Sequence, residues 1–379
     1  MKVRLLPLAI SAAIAMPGVA LAEGPTVYGK LNVTYENSSE DFSDDINVGG
    51  VTGQYSDDAD TWELNSNSSR LGVKGSEVIS DALKAFYQAE FGIDVDEGSS
   101  KSSGETFSQR DIFVGLGGNW GSVQLGKYDT PLKKSQGKVD QFNDNLAGDI
   151  QNVIVGEVRA DDLIQYSSPK IANAIALNLA FQPGEDYCYE GAADDCQDGP
   201  AENFSASAVY DAGMLYAALG YDDGIGGYDT IRLTGLLRLD VFELGAIYQT
   251  AEESEDGTVE QDGYILSAAM KLGEKNKIRF QYGASETEVV DPITGDIEDD
   301  FDYPFSPLDY VGDAEGEITQ IGVGFDHLLS KQTRLYANYI MLEEEGTVSG
   351  ETIQVVPVSF HYSSDTENDR LQLGVEHNF

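Results

Sequence analysis

The chain is poor in basic residues, in histidine and cysteine, and in long apolar runs, and each shortage removes a class of protein. Lys and Arg number 23 against 66 Asp and Glu, a formal net charge of −43. No basic surface is left to neutralise phosphates, so nucleic acid is excluded as a partner. Such acidity keeps a surface hydrated at high salt and says little about fold. His327, His361 and His377 are the whole histidine supply. His327 and His377 fall on strand faces read as outward, and His361 in a segment read as an external loop. None accompanies a serine in a nucleophile motif, and no Gly-x-Ser-x-Gly elbow or zinc-spaced pair occurs. Carboxylates are too common here for any pair to carry meaning, so no enzyme is expected. The acidic segments offer oxygen ligands to Ca²⁺ or Mg²⁺, but no dense pattern such as an EF-hand loop appears, and no cofactor is expected. Cys188 and Cys196 flank a short Gly- and Asp-containing segment. In an oxidising compartment they read as one local loop disulfide, and no His or third Cys lies nearby to make a metal site.

The one continuous apolar stretch lies at the start. Lys2 and Arg4 precede an apolar core from Leu5 to Met16, Pro17 and Gly18 break it, and Ala20-Leu21-Ala22 is a small-residue cleavage site. That order reads as a secretory signal peptide over residues 1–22, with Glu23 the first mature residue. The core is far short of the ~20 residues of a spanning helix. Beyond it, apolar stretches are broken at every second or third position, which excludes a helical membrane protein.

What is present instead is alternation. Val27, Gly29, Leu31, Val33 and Tyr35 oppose Tyr28, Lys30, Asn32, Thr34 and Glu36. Leu371, Leu373, Val375, His377 and Phe379 oppose Arg370, Gln372, Gly374, Glu376 and Asn378. A period of two means strands with one apolar face. Several such runs extend over ~10–14 residues, near the length of a tilted membrane-spanning strand. Short turns, near Gly117-Gly118-Asn119, Ser168-Pro169, Asp211-Ala212-Gly213, Leu239-Asp240, Gly273–Asn276 and Leu329-Ser330, alternate with long acidic segments. Those segments, 38–58, 128–158, 183–201, 288–315 and 344–366, read as external loops. The pattern predicts a single all-β domain over 23–379: a transmembrane antiparallel β-barrel of about sixteen strands with both termini on the periplasmic side. Apolar faces turned outward suit lipid, closure removes the sheet edges that hydrocarbon forbids, and the other face makes a polar lumen.

Ordered motifs then carry a resemblance. They are Val27-Tyr28-Gly29-Lys30, Ser69–Gly75 (SRLGVKG), Gln109-Arg110 leading into Phe113–Leu116, Gly121–Pro131 (GSVQLGKYDTP), Gln165–Pro169 (QYSSP) and a terminal Phe379. Together they resemble the general Gram-negative porins over nearly the whole mature chain. The resemblance implies a sixteen-stranded homotrimeric barrel in the Gram-negative outer membrane, passing small hydrophilic solutes by passive diffusion. Its implied surroundings are outer-membrane lipid and lipopolysaccharide. Phe379 resembles the terminal signal read by barrel-assembly machinery. In that family the third external loop folds into the lumen. Here it runs from the Lys127–Pro131 motif to about Glu157 and carries Asp140, Asp144, Asp149 and Glu157. By motif, Lys30, Arg70, Arg110 and Arg159 take the basic positions on the facing wall. Alternation independently points Lys30 and Arg70 inward and groups Arg159 with Asp161 and Gln165. It cannot place Arg110, because Ile112–Leu116 is apolar at both parities. Acidic loops facing a basic wall predict a transverse field and a modest cation preference. A substrate-specific channel, or a structural or adhesive barrel with a closed lumen, would share the topology. Scarce basic residues speak against an arginine track for phosphate.

Overall fold

The alternating segments form antiparallel strands that pair in sequence order. The computed structural model describes residues 22–96, 107–184, 199–254, 257–289, 293–297, 308–352 and 358–379. Residues 1–21, all but the last residue of the expected signal peptide, and Cys188 and Cys196, with the expected disulfide, lie outside them. The strands are β1 (Ala22–Val48), β2 (Val51–Ser66), β3 (Arg70–Ser80), β4 (Leu83–Ile93), β5 (Phe107–Gly118), β6 (Gly121–Asp129), β7 (Arg159–Ser167), β8 (Ile175–Gln182) and β9 (Asn203–Ala212). They continue as β10 (Leu215–Asp223), β11 (Tyr228–Arg238), β12 (Phe242–Glu253), β13 (Val259–Leu272), β14 (Asn276–Val289), β15 (Ile293–Ile297), β16 (Leu308–Leu328), β17 (Thr333–Thr352) and β18 (Ser359–Asn378).

These segments make sixteen staves. β1 pairs with β2 as far as Val33↔Ser66 and with β3 from Lys30↔Arg70, so β2 and β3 are one stave interrupted at 67–69. Likewise β14 and β15 both pair with β16. β1 also pairs with β18 from Lys30↔Asn378 to Val48↔Phe360, which closes the sheet into a barrel. At the seam the Gly29 N–H donates to the Phe379 carbonyl (3.0 Å) and the Phe379 N–H donates back to Gly29 (3.1 Å). The Phe379 ring lies over Gly29: a Cβ there would meet ring carbon Cζ at 2.4 Å.

Polarity is inside out, as lipid requires. On β18 Leu371, Leu373 and Val375 are exposed while Gln372 is buried. On β1 Val27, Leu31 and Tyr35 are exposed while Lys30, Asn32, Thr34 and Glu36 are buried. Outward aromatic rings pair across neighbouring strands: Tyr35 stacks on Trp62 and Tyr264 packs on Tyr282. Near the turns Trp120 stacks on Tyr166, and His377 on Phe379.

Two expectations need correction. Segments 38–58, 288–315 and 344–366, read as loops, are in large part strand. β1 is 27 residues long, β16 21, and β17 and β18 20 each. At ~3.3 Å per residue, 20 residues reach roughly 66 Å, about twice the ~30 Å hydrocarbon core. Gly, Ser and Asp disfavour strands intrinsically, but β1 is paired on both flanks, and cross-strand pairing outweighs local propensity. His361 accordingly lies in β18, opposite Asn47 and Ser349, and not in a loop. The lumen is also not polar throughout. Tyr216, Leu236, Ile247 and Ile265 face inward from β10 to β13 and form an apolar cluster with Val139, Ile150, Val153 and Ile154. Those four partners come from the segment between β6 and β7, which fills that half of the barrel.

Candidate functional site: the constriction

The segment between β6 and β7 is the third external connection. It opens with a one-turn helix, α1 (Pro131–Ser135), capped by the Thr130 hydroxyl, which accepts from the Lys133 N–H at 3.1 Å. From there it runs along the inner wall, and inward side chains hold its backbone. The Ser205 hydroxyl accepts from the Leu132 N–H, and the Tyr216 hydroxyl donates to the Ser135 carbonyl. Gln281 accepts from the Gln141 N–H and donates to the Gly148 carbonyl, Gln320 donates to Ala147, and Gln261 accepts from the Val155 N–H. Inward glycines make room for it. A Cβ at Gly263 would lie 2.5 Å from Ile154, and one at Gly322 would lie 2.7 Å from Phe142.

Two buried arginines complete the seat. Arg232 on β11 is fully buried and pairs with Glu157 at 2.5 Å. It also donates to the Gln249 side chain and to the Val155 carbonyl. Arg279 on β14 donates to the Gln141 carbonyl, pairs with Asp326 at 2.9 Å and lies over the Phe142 ring. The loop therefore lies inside the barrel, against β9 to β16, and narrows the lumen from that side.

Its tip crosses to the opposite wall. Asp144 accepts from Lys30 Nζ at 2.6 Å and from Arg70 Nη1 at 3.0 Å, with Arg110 Nη2 at 3.7 Å. Its backbone is left-handed, φ +66°, a conformation Asp tolerates better than most residues. The Asp144 N–H donates to Asp149 at 3.1 Å. Asn145 donates to Gln372, and the Leu146 N–H donates to Asn67, at the break between β2 and β3. Burial raises the Asp144 carboxyl, but the Lys30 and Arg70 cations lower it further, so it ends well below the usual carboxylate range. The other loop acids differ. Asp140 is buried and accepts from the Phe142 and Ile150 N–H groups. Burial and the neighbouring Asp149 push its carboxyl well up. Asp149 is raised as well, by burial, although it accepts from the Gln151 and Asp144 N–H groups. Burial raises Glu157 despite the opposing Arg232 charge.

Of the eight residues picked from the sequence, Lys30, Arg70, Arg110 and Asp144 thus meet at one point. Asp140 and Asp149 brace the loop from within. Glu157 faces away from the basic wall, to Arg232. Arg159 stands apart from Asp144 and pairs with Asp111 at 2.7 Å and Asp129 at 2.9 Å. The parity failures have one cause. Ala89 pairs with Ile112 and Phe91 with Gln109, so Arg110 and Asp111 together oppose Glu90. Such a bulge puts one extra residue on its strand and breaks the alternation. Arg110 reaches Glu90 at 2.8 Å, and Asp111 reaches Arg159. On β7, Gly126 pairs with Leu163 and Tyr128 with Ala160, so Asp161 and Asp162 share the place opposite Lys127. Asp161, grouped inward with Arg159 by parity, is instead exposed and pairs with Lys127 at 3.5 Å.

Between the loop and the wall of β3 to β7 a gap remains, about 550 Å³ in volume. The wall lines it with Arg70, Glu90, Arg110, Asp111, Asp129 and Arg159. The loop lines it with Asp140, Asp144 and Asp149 but also with Lys133, Lys134 and Lys138. Sequence reading missed Glu90, Asp111 and these lysines. Glu90 was legible by its parity on β4; the lysines sit where only the loop's path tells which side faces the gap.

A charge-lined gap bounded by an inserted third loop in a sixteen-stave, inside-out barrel can now be set beside known proteins. The family model of the Gram-negative porins matches residues 9–347. The chain belongs to that family. This porin is an outer-membrane protein. It is 25% identical to outer membrane porin protein 32 of Delftia acidovorans over the whole of both chains. It is 26% identical to a monosaccharide porin of a Halomonas species, again over the whole of both. Among solved structures, the anion-selective porin from Comamonas acidovorans superposes with a TM-score of 0.65 at 21% identity, covering 94% of this porin and 99% of that chain. That likeness bears on fold alone.

Proposed function

We propose that this porin is a water-filled channel for passive diffusion of small hydrophilic solutes and ions, acting as a homotrimer. The gap beside the inserted loop carries the reading: it is lined almost wholly by charged and polar groups, and among the described residues no apolar side chain lines it. A solute passing there exchanges bulk water for fixed charges on both sides, which favours hydrated species and excludes apolar ones. The cation preference expected from the acidic segments draws support at the mouth, where the extended hairpins carry like charges on neighbouring strands: Asp41 opposite Asp58, and Glu343 opposite Glu367. It draws none at the constriction, where six basic side chains face six carboxylates.

Single-channel recording in planar bilayers tests the reading. Conductance is expected to be ohmic and to rise in proportion to bulk salt. A protein that conducts nothing would be a closed structural barrel. Block by micromolar amounts of a single sugar or anion would make it substrate-specific. Chemical cross-linking in outer-membrane extracts tests the trimer, and a ladder ending at the monomer would remove it.

A further inference from the structure

We propose that Lys134 and Lys138, on the inserted loop, set the ionic preference of the constriction and make it favour anions, against the sign of the protein's net charge. This rests on the channel reading above and assigns its selectivity. The argument is one of compensation. Each carboxylate lining the gap is already engaged. Asp144 is held by Lys30 and Arg70. Glu90 is held by Arg110 at 2.8 Å and by the Tyr28 hydroxyl at 2.9 Å. Arg159 bridges Asp111 and Asp129, and Lys133 adds a second contact to Asp129 at 3.5 Å. Asp140 and Asp149 have no cation partner but turn to backbone N–H groups of the loop itself, and burial raises both carboxyls and so disfavours their charged forms. These partners also use up the cations of the wall.

Lys134 and Lys138 are left over. Both are exposed and both line the gap. Among the described residues neither has a carboxylate within ion-pair distance; Lys134 Nζ lies 4.9 Å from the centre of the Tyr128 ring. A paired charge presents a short-range dipole to a passing ion, whereas an unpaired ammonium presents a full charge. The acidic mouth does not cancel it. Asp41 is eleven residues from Lys30 along β1, roughly 36 Å of extended strand, while the Debye length in physiological salt is about 8 Å. Charge within the constriction therefore decides selectivity, and the hairpins set only the ion concentration at the entrance.

The test is the reversal potential of purified porin in a planar bilayer under a KCl gradient, with K134Q/K138Q and K134R/K138R beside the wild type. Wild type is expected to show the anion sign. K134Q/K138Q is expected to lower the chloride-to-potassium permeability ratio severalfold, and K134R/K138R to keep the wild-type value. A cation-selective wild type, or a K134Q/K138Q channel with the wild-type reversal potential, would overturn the proposal while leaving the channel reading intact. Absence of any conductance in the wild type would instead overturn the channel reading itself. Because reversal potential does not depend on the number of channels inserted, a lower folding yield of one variant does not blur the comparison.

Discussion

Arg159 and Asp144 do opposite work on the same gap. Arg159 neutralises two wall carboxylates, Asp111 and Asp129. Arg159→Ala is expected to free Asp111, to leave Asp129 with the Lys133 contact alone, and to raise the potassium-to-chloride permeability ratio, read as a shift in reversal potential. An unchanged potential would mean these acids are not seen by permeating ions. Asp144 neutralises Lys30 and Arg70. Asp144→Asn is expected to shift the potential the other way, toward anions. The loop tip should stay in place, because Asn145 and Leu146 keep their own bonds to Gln372 and Asn67. Arg70 is less informative alone, since its removal uncovers both Asp144 and part of the Glu90 site.

The inserted loop is an element whose position is set by what lies behind it. Its apolar residues pack on Tyr216, Leu236, Ile247 and Ile265, and its backbone polar groups are met by inward amides. A loop seated this way is a rigid wall of the pore, not a flap. Arg232→Ala would leave Glu157 buried without its cation, and breaking a buried pair costs ~3–5 kcal/mol. The expected readout is increased open-channel noise together with a lower temperature for loss of the heat-modifiable gel band. A quiet channel with unchanged thermal stability would show that the amides alone hold the loop. Gly322→Leu acts from the wall side. Its side chain must displace the Phe142 ring, so the loop is expected to shift into the gap and single-channel conductance to fall. Wild-type conductance would show that Phe142 moves without the loop.

At the scale of the whole molecule, the barrel carries a tall acidic extension beyond the membrane. Its strands place like charges directly opposite one another: Asp41 with Asp58 and Glu367, and Glu345 with Glu317 and Asp365. Directly opposed like charges destabilise a sheet, and exposed pairs are screened by salt. The extension is therefore expected to be firm at high ionic strength and to loosen as salt is removed. Limited proteolysis in detergent across a range of NaCl concentrations checks this. Cleavage within 38–58 and 344–366 should accelerate at low salt while the membrane-embedded barrel stays intact. Salt-independent cleavage would mean that backbone pairing alone carries these hairpins.

Alternation along β1 and β18 was enough to read a membrane barrel, because lipid on one side and water on the other impose a period of two on any spanning strand. The same pattern placed Lys30 and Arg70 inside, and the spacing of turns and acidic segments located the third connection. Three things were decided only in three dimensions. The bulges opposite Glu90 and Lys127 set Arg110 and Asp111 side by side opposite Glu90 and turned Asp161 away from Arg159, and one extra residue leaves no compositional trace. The extended hairpins formed because neighbouring strands offered pairing partners that local propensity does not report. The charge of the constriction was settled by which side chains found partners once the loop had folded in. The sequence by itself determined how many acids and bases the protein has; the tertiary structure decided which of them remain uncompensated where the pore is narrow. Charge count is a property of composition, whereas screening and pairing depend on distances of a few ångströms between residues far apart in the chain.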